Sequence, residues 1–191
     1  MTSEPTTPRT ADAIAAATGI SWPDWAAWLD AHDAPSLEHA EIASLAHGRM
    51  TAGDRSDVAN AAWWAQGVAV AYEQQIGRRL PGERQDGTFY VSASRTVPVD
   101  PATAMDAWVA QVGDRAVLAE RTPAGPPRTS STPRRAYWRI GFTDGSSLQL
   151  AVEQAPTGSR LTATHEGLAS PEEREAARVV WKATLAGLPL G

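Results

Sequence analysis

Ala136-Tyr137-Trp138-Arg139-Ile140-Gly141-Phe142-Thr143-Asp144-Gly145-Ser146-Ser147-Leu148-Gln149-Leu150-Ala151-Val152 is the stretch that decides the fold. Ala136, Trp138, Ile140 and Phe142 fall on one parity, and Leu148, Leu150 and Val152 fall on the next. A period of two is that of a strand with one buried face. Asp144-Gly145 between the two runs is a hairpin turn signal, because such turns need positive φ. Thr157-Gly158 marks a second turn, and Leu161, Ala163 and His165 then continue the apolar parity. Three antiparallel strands therefore follow one another.

On the C-terminal side, Ser170-Pro171-Glu172-Glu173 combines a capping hydroxyl, a first-turn proline and acidic residues at the positive end of a helix dipole. The helix is predicted to run to about Ala186, with Ala177, Val180, Trp181, Thr184, Leu185 and Leu188 inward. On the N-terminal side, Phe89, Val91, Ala93 and Val97 alternate with polar residues, which predicts a further strand. Asp100-Pro101 opens a helix to Val112 with Met105, Trp108, Val109 and Val112 inward. Arg115–Thr122 reads as a strand, and Pro123–Pro133 as a loop rich in Pro, Ser, Thr and Gly. Tyr137, Arg139, Gln149, Glu153, Arg160, Thr162, Thr164 and Glu166 give the sheet a polar second face.

The first part of the chain reads as helices. Thr10 caps a helix ended by Gly19, and Ser21-Trp22-Pro23-Asp24 opens a second with Trp22, Trp25 and Trp28 as a stripe. Ser36 is expected to cap a third, Leu37–His47, stopped by Gly48, with Arg49–Arg55 as linker. The longest is expected from Ser56 or Asp57 to Ile76, stopped by Gly77. The class is therefore α+β. Residues 1–9 form a disordered tail, 10–80 a helical module, 81–87 a connector and 88–191 a sheet-and-helix domain.

Composition narrows the function. The chain has 191 residues, 42% of them hydrophobic, with eight Trp and no Cys. The absence of Cys excludes disulfides, Cys-bound zinc and a thiol nucleophile. No basic-then-apolar leader and no run long enough for a membrane span is seen, so a soluble cytoplasmic protein is expected, with no membrane partner. Residues 1–80 hold five Arg against ten Asp and Glu, and residues 81–191 are neutral overall. An acidic helical part lacks the phosphate-neutralising footprint of a nucleic-acid binder. Its last helix carries Trp63-Trp64-Ala65-Gln66-Gly67-Val68 where a reading helix needs exposed polar residues. G-x-S-x-G, phosphate-loop, dinucleotide and HExxH patterns are absent, and no catalytic residue, metal site or cofactor is assigned.

Gly87-Thr88-Phe89-Tyr90-Val91-Ser92-Ala93-Ser94-Arg95-Thr96 with Ala107-Trp108, and His165-Glu166-Gly167-Leu168 followed by an acidic cap and Trp181, resemble the helix-grip, START-like (SRPBCC) superfamily. Within it, the similarity is to homologues of the heat-shock-protein-90 ATPase activator. Trp22, Trp25, Leu29-Asp30, His39, Ile42-Ala43, Trp63–Val68 and Tyr72-Glu73 resemble a helical extension that precedes this domain in actinobacterial-type proteins. The resemblance implies an antiparallel sheet wrapped on the long C-terminal helix. It also implies an apolar ligand between sheet and helix, or action on a protein partner, and in a few members catalysis. The segment between the first helix of the domain and Ala136 is shorter than in typical members, which argues against a complete first hairpin and a roomy cavity.

Candidate pocket residues are Phe89, Arg95, Trp108, Trp138, Phe142, His165 and Trp181. His165 has the pKa range of a ligand-binding or proton-transferring group, or it is a core histidine bonded to its surroundings. Arg95 is suited to hold a ligand carboxylate bidentately, or simply extends its head to water. The aromatic residues either wall a pocket or fill the core. Gln66, Tyr72 and Glu73 read as a buried polar cluster joining the two parts of the chain. The leading expectation is non-catalytic binding of a small apolar ligand. The alternatives are a protein-interaction or chaperone-cofactor-like module, with a protein partner or as a homodimer, and an enzyme using His165.

Overall fold

Gly145 takes φ 88° and lets Asp144 turn the chain back on itself. Asp144 Oδ1 accepts from the backbone N–H of Ser146 at 2.9 Å and from its hydroxyl at 2.7 Å, which locks the turn. The strands it joins, β3 (Arg135–Gly141) and β4 (Ser147–Ala155), pair antiparallel with Trp138 opposite Leu150 and Ile140 opposite Leu148. At the next turn Gly158 has φ 111°, and a Cβ there would lie 2.1 Å from the Val97 carbonyl oxygen, so only glycine fits. β5 (Gly158–Leu168) then pairs back on β4 and, on its other side, with β1 (Phe89–Val97).

The computed structural model describes residues 10–52, 58–113 and 118–190. The expected tail, Ser56, Asp57 and Arg115 lie outside them; the helix expected from Ser56 or Asp57 begins instead at Ala61, after Asn60 with its φ of 58°. Among the described residues five strands form one antiparallel sheet in the order β1-β5-β4-β3-β2, where β2 is Arg128–Ser131. β2 corrects the expected loop over Pro123–Pro133. Its four residues are all exposed, so no apolar alternation announced it; pairing with the already specified β3 creates it. The expected strand ending at Thr122 is also corrected. Leu118 and Arg121 pair across a tight turn in which Ala119 and Glu120 both take positive φ.

The chain divides into two compact units, Met1–Pro81 and Gly82–Gly191. In the second, α5 (Pro101–Val112) and α6 (Pro171–Ala186) lie on the apolar face of the sheet. Asp100 Oδ1 accepts from the N–H groups of Ala102 and Thr103, and Ser170 Oγ from Glu173 N–H, so both expected caps form. Val109 is 40% exposed, against the inward placement expected for it. A five-stranded antiparallel sheet gripping a long C-terminal helix is the α+β helix-grip architecture.

The first unit packs α1 (Ala11–Thr18), α2 (Trp22–Asp30), α3 (His39–Thr51) and α4 (Ala61–Gln75) around Ile14, Trp25, Leu29, Ile42, Val68 and Tyr72. α3 starts two residues later than the expected Leu37 and runs through Gly48. Ser36 ends a short 3-10 turn instead of capping α3, and Glu38 and Glu41 form a capping box, with Glu38 N–H donating to Glu41 Oε2 at 2.8 Å. Among the described residues no helix is long and apolar enough to cross a membrane.

Candidate ligand-binding site

β5 alternation points His165 into the core, where it is fully buried. Trp181, on the buried face of α6, donates its indole N–H to His165 Nδ1 at 3.0 Å. A nitrogen that accepts carries no proton, so the ring proton of the neutral imidazole sits on Nε2. That Nε2–H donates to Ser146 Oγ at 3.1 Å, and the Ser146 hydroxyl donates onward to Asp144 Oδ1 at 2.7 Å. Arg121 closes the line by donating Nε to Asp144 Oδ2 at 2.7 Å and Nη2 to Glu173 Oε2 at 2.9 Å. Every donor in this row faces an acceptor. It ties α6, the β3–β4 turn, β5 and the Arg121 segment together.

Electrostatics agree with the geometry. Burial, with help from the Arg121 charge, pushes the His165 pKa from 6.5 down to about 4 against the pull of Asp144. Burial alone would raise the Asp144 carboxyl, but the Ser146 hydrogen bonds and Arg121 outweigh it and hold it below the ordinary carboxylate range. Ser146 and His165 are within hydrogen-bond reach, as an acid–base pair requires. The direction is wrong for activating the serine, because the histidine donates and the serine passes its own proton to Asp144. Both side chains are shut off from solvent.

Around His165 the rings form a row. Trp138 and Trp108 meet edge to face at 5.8 Å, Trp108 and Trp181 are 6.4 Å apart, Trp181 and His165 5.7 Å, and His165 and Phe142 5.4 Å. Phe89 belongs to the same core cluster. The structure thus brings together six of the seven expected residues (Phe89, Trp108, Trp138, Phe142, His165 and Trp181). All are at most 5% exposed, so they pack against one another and leave almost no surface open to water. Two polar atoms in this row lack partners among the described residues: the indole nitrogens of Trp108 and Trp138.

Arg95 stands apart. Its Nη1 donates to the carbonyls of Leu185, Ala186 and Leu188 at 2.8, 3.1 and 3.0 Å, so it closes the C-terminal end of α6. A guanidinium bound to carbonyls at the negative end of a helix dipole is held there, where the sequence offered it as a carboxylate anchor or as a head extended to water. Ser146, Asp144, Arg121 and Glu173 escaped the sequence reading. The turn that carries Asp144 and Ser146 was legible, but nothing local marks it as the partner of a histidine on another strand.

The first unit keeps its own buried polar cluster. Glu73, 4% exposed, meets His39 Nδ1 at 3.0 Å, Arg78 Nη2 at 3.0 Å and Arg79 Nε at 3.1 Å, and His39 Nε2 lies 2.9 Å from Gln66 Oε1. Tyr72 instead donates to Asp30, and burial followed by that carboxylate pushes its pKa upward. All these partners lie within the helical unit, which corrects the expectation of a cluster joining the two parts. Among the described residues no group of three His, Asp or Glu is placed to hold a metal ion.

No family model and no curated protein matches the chain. Solved structures do. A Mesorhizobium loti protein is 13% identical over 52% of this chain and 93% of its own, with a TM-score of 0.37. The AHSA1-like protein of Rhizobium etli is 18% identical over 57% and 87%, with a TM-score of 0.35. Ara h 8.0201 is 14% identical over 53% and 98%, with a TM-score of 0.32. The architecture itself rests on the strand order and helix placement of this chain.

Proposed function

We propose that the second unit binds a small, mainly apolar molecule between the sheet and α6, without catalysing its conversion. The observation that carries this reading is the pair of unpartnered indole N–H groups on Trp108 and Trp138. A buried donor without an acceptor costs about 1–3 kcal/mol. A guest oxygen or ring nitrogen among these rings would recover that energy, while the surrounding Trp181, Phe142 and Phe89 supply apolar contact. Entry requires the packed rings to part, since they leave no open surface. His165 serves as a fixed strut in this reading, because Ser146 holds one ring nitrogen and Trp181 the other.

Native mass spectrometry of the protein purified from its own host tests the reading. A reproducible extra mass, lost on denaturation and reduced when Trp138 is replaced by Phe, is the expected result. A bare chain mass, together with no quenching of tryptophan emission by a panel of small aromatic ketones, would sink it.

A second reading, a protein-interaction module, is favoured by the closed core together with the surface of the helical unit. Trp63 is 66% exposed, and an open groove of about 830 Å³ lies along Trp28, His32, Leu37 and Leu45. A co-purifying chain in the same native spectrum, lost on Trp63→Ser, would move the assignment to this alternative.

A further inference from the structure

The polar face of the sheet carries a second feature, on the side away from the aromatic core. Ala124 N–H donates to the Gly141 carbonyl at 2.9 Å, and Arg128 pairs with Arg139. Between those two pairings β3 spends one residue, Ile140, and the facing segment spends three, Gly125-Pro126-Pro127. The surplus loops out as a bulge. Two prolines fix its φ angles and remove its N–H donors, so the rim is stiff and offers no edge for pairing. Below the rim is a cleft of about 700 Å³, lined among others by Arg128, Arg139, Gln149, Thr164 and Glu166. Its volume is that of a small-molecule site.

Charge is the unusual property of this cleft. Arg128 and Arg139 are direct cross-strand partners, and like charges placed so are destabilising unless something lies between them. Arg139 is held in position by neutral groups only. Its Nε donates to Gln149 Oε1 at 2.7 Å, its Nη1 donates to Ser130 Oγ at 2.8 Å, and its guanidinium rests 4.3 Å from the Tyr137 ring centre. Its Nη2 is unspent among these contacts. The side chain of Arg128, on the exposed edge strand, makes no hydrogen bond or ion pair with the described residues. The third charged lining residue, Glu166, is already engaged by Arg84 Nη2 at 2.5 Å. The local balance is positive although the second unit is neutral overall and the chain carries −5.

We propose that this cleft binds a small molecule bearing a compact oxyanion, a carboxylate or a phosphate, gripped between the guanidiniums of Arg128 and Arg139. Planar guanidinium forks match both groups bidentately, and a pre-oriented Arg139 loses little freedom on binding. Thr164, Ser147 and Gln149 offer hydroxyl and amide groups to the rest of the molecule. The site is separate from the aromatic interior, and its occupancy does not depend on the function proposed above.

Amide NMR of the full chain, titrated with sodium phosphate and separately with sodium benzoate, tests this, each against sodium chloride at matched ionic strength. The expected result is a saturable shift at Gly125, Gly141 and Ser147 with one of the two oxyanions and not with chloride; which one responds identifies the head group. Arg128→Glu, at an exposed position, should weaken that binding about tenfold or more without lowering the melting temperature, since it sets opposite charges across the strands. Arg139→Gln should do the same, and Arg128→Lys should fall between. No saturable shift with either anion, shifts equally produced by chloride, or undiminished binding in a folded Arg128→Glu protein overturns the proposal.

Discussion

The two units bury polar groups in opposite ways. In the helical unit the buried carboxylate of Glu73 is surrounded by three potential cations, and the interior indoles have partners: Trp22 donates to Gln75 at 2.6 Å and Trp25 to Thr18 at 3.1 Å. In the sheet unit the interior is neutral and aromatic. His165 is satisfied on both nitrogens, while Trp108 and Trp138 keep donors that no described residue accepts. Saturated polar contacts specify one packing. The binding proposed for the sheet unit would use these unspent donors; the buried indoles of Trp22 and Trp25 in the helical unit have already spent theirs.

The largest expected effect tests the saturated side. Glu73→Gln leaves His39, Arg78 and Arg79 facing no anion, and removing one partner of a buried ionic cluster costs about 3 kcal/mol or more. Denaturant unfolding followed by far-UV circular dichroism reads it. A loss near zero would mean that water already solvates the cluster, and the contrast between the units would dissolve.

Next comes pH, which acts on the sheet unit. The folded pKa of His165, about 4, lies below its ordinary 6.5, so the unfolded chain takes the proton first. The stabilisation is therefore complete above pH 6.5 and is lost as pH falls toward 4, by up to about 3 kcal/mol. Protonation would also set an Nδ1–H against the Trp181 N–H. Carbon-detected imidazole NMR should show the Nε2–H tautomer persisting to about pH 4, and a His165 titration near 6.5 would refute the closed relay.

A subtler comparison sets two indoles against each other. Trp181→Phe deletes the donor to His165 and leaves that nitrogen unpaired, whereas Trp108→Phe deletes a donor that has no partner. Both lose similar area, so Trp181→Phe should be more destabilising by about 1–3 kcal/mol in thermal unfolding. Equal losses would mean that the Trp108 N–H has found an acceptor. The smallest effect is expected at Arg95. Replacing it by Met keeps the stem and removes the cap on α6, for a loss of about 1 kcal/mol, with faster amide exchange confined to the last turn of that helix.

Much of the sheet was readable in the chain. The alternation of Trp138, Ile140, Leu148, Leu150 and Val152 and the glycines at 145 and 158 are local signals, and β3, β4 and β5 follow them. Six candidate residues converged because parity and helical period assign a face without knowledge of the partner. β2 was not readable, since its Arg-Thr-Ser-Ser sequence has no apolar parity. The partners of Arg95 were not readable for a related reason: parity points it inward but does not say that a helix end meets it.

What the sequence by itself determined is what acts over a few residues: the period of two, the turns that need positive φ, and the Ser21, Asp100 and Ser170 caps. Only the tertiary structure decided how polar groups pair. His165 meets Trp181 and Ser146 across 16 and 19 residues, and Arg95 meets the Leu185 carbonyl across 90. The reason is physical. Backbone preference and hydrophobic parity are averaged over a segment, whereas a hydrogen bond depends on two particular atoms coming within about 3 Å of each other in a suitable direction, and only the packed chain sets that.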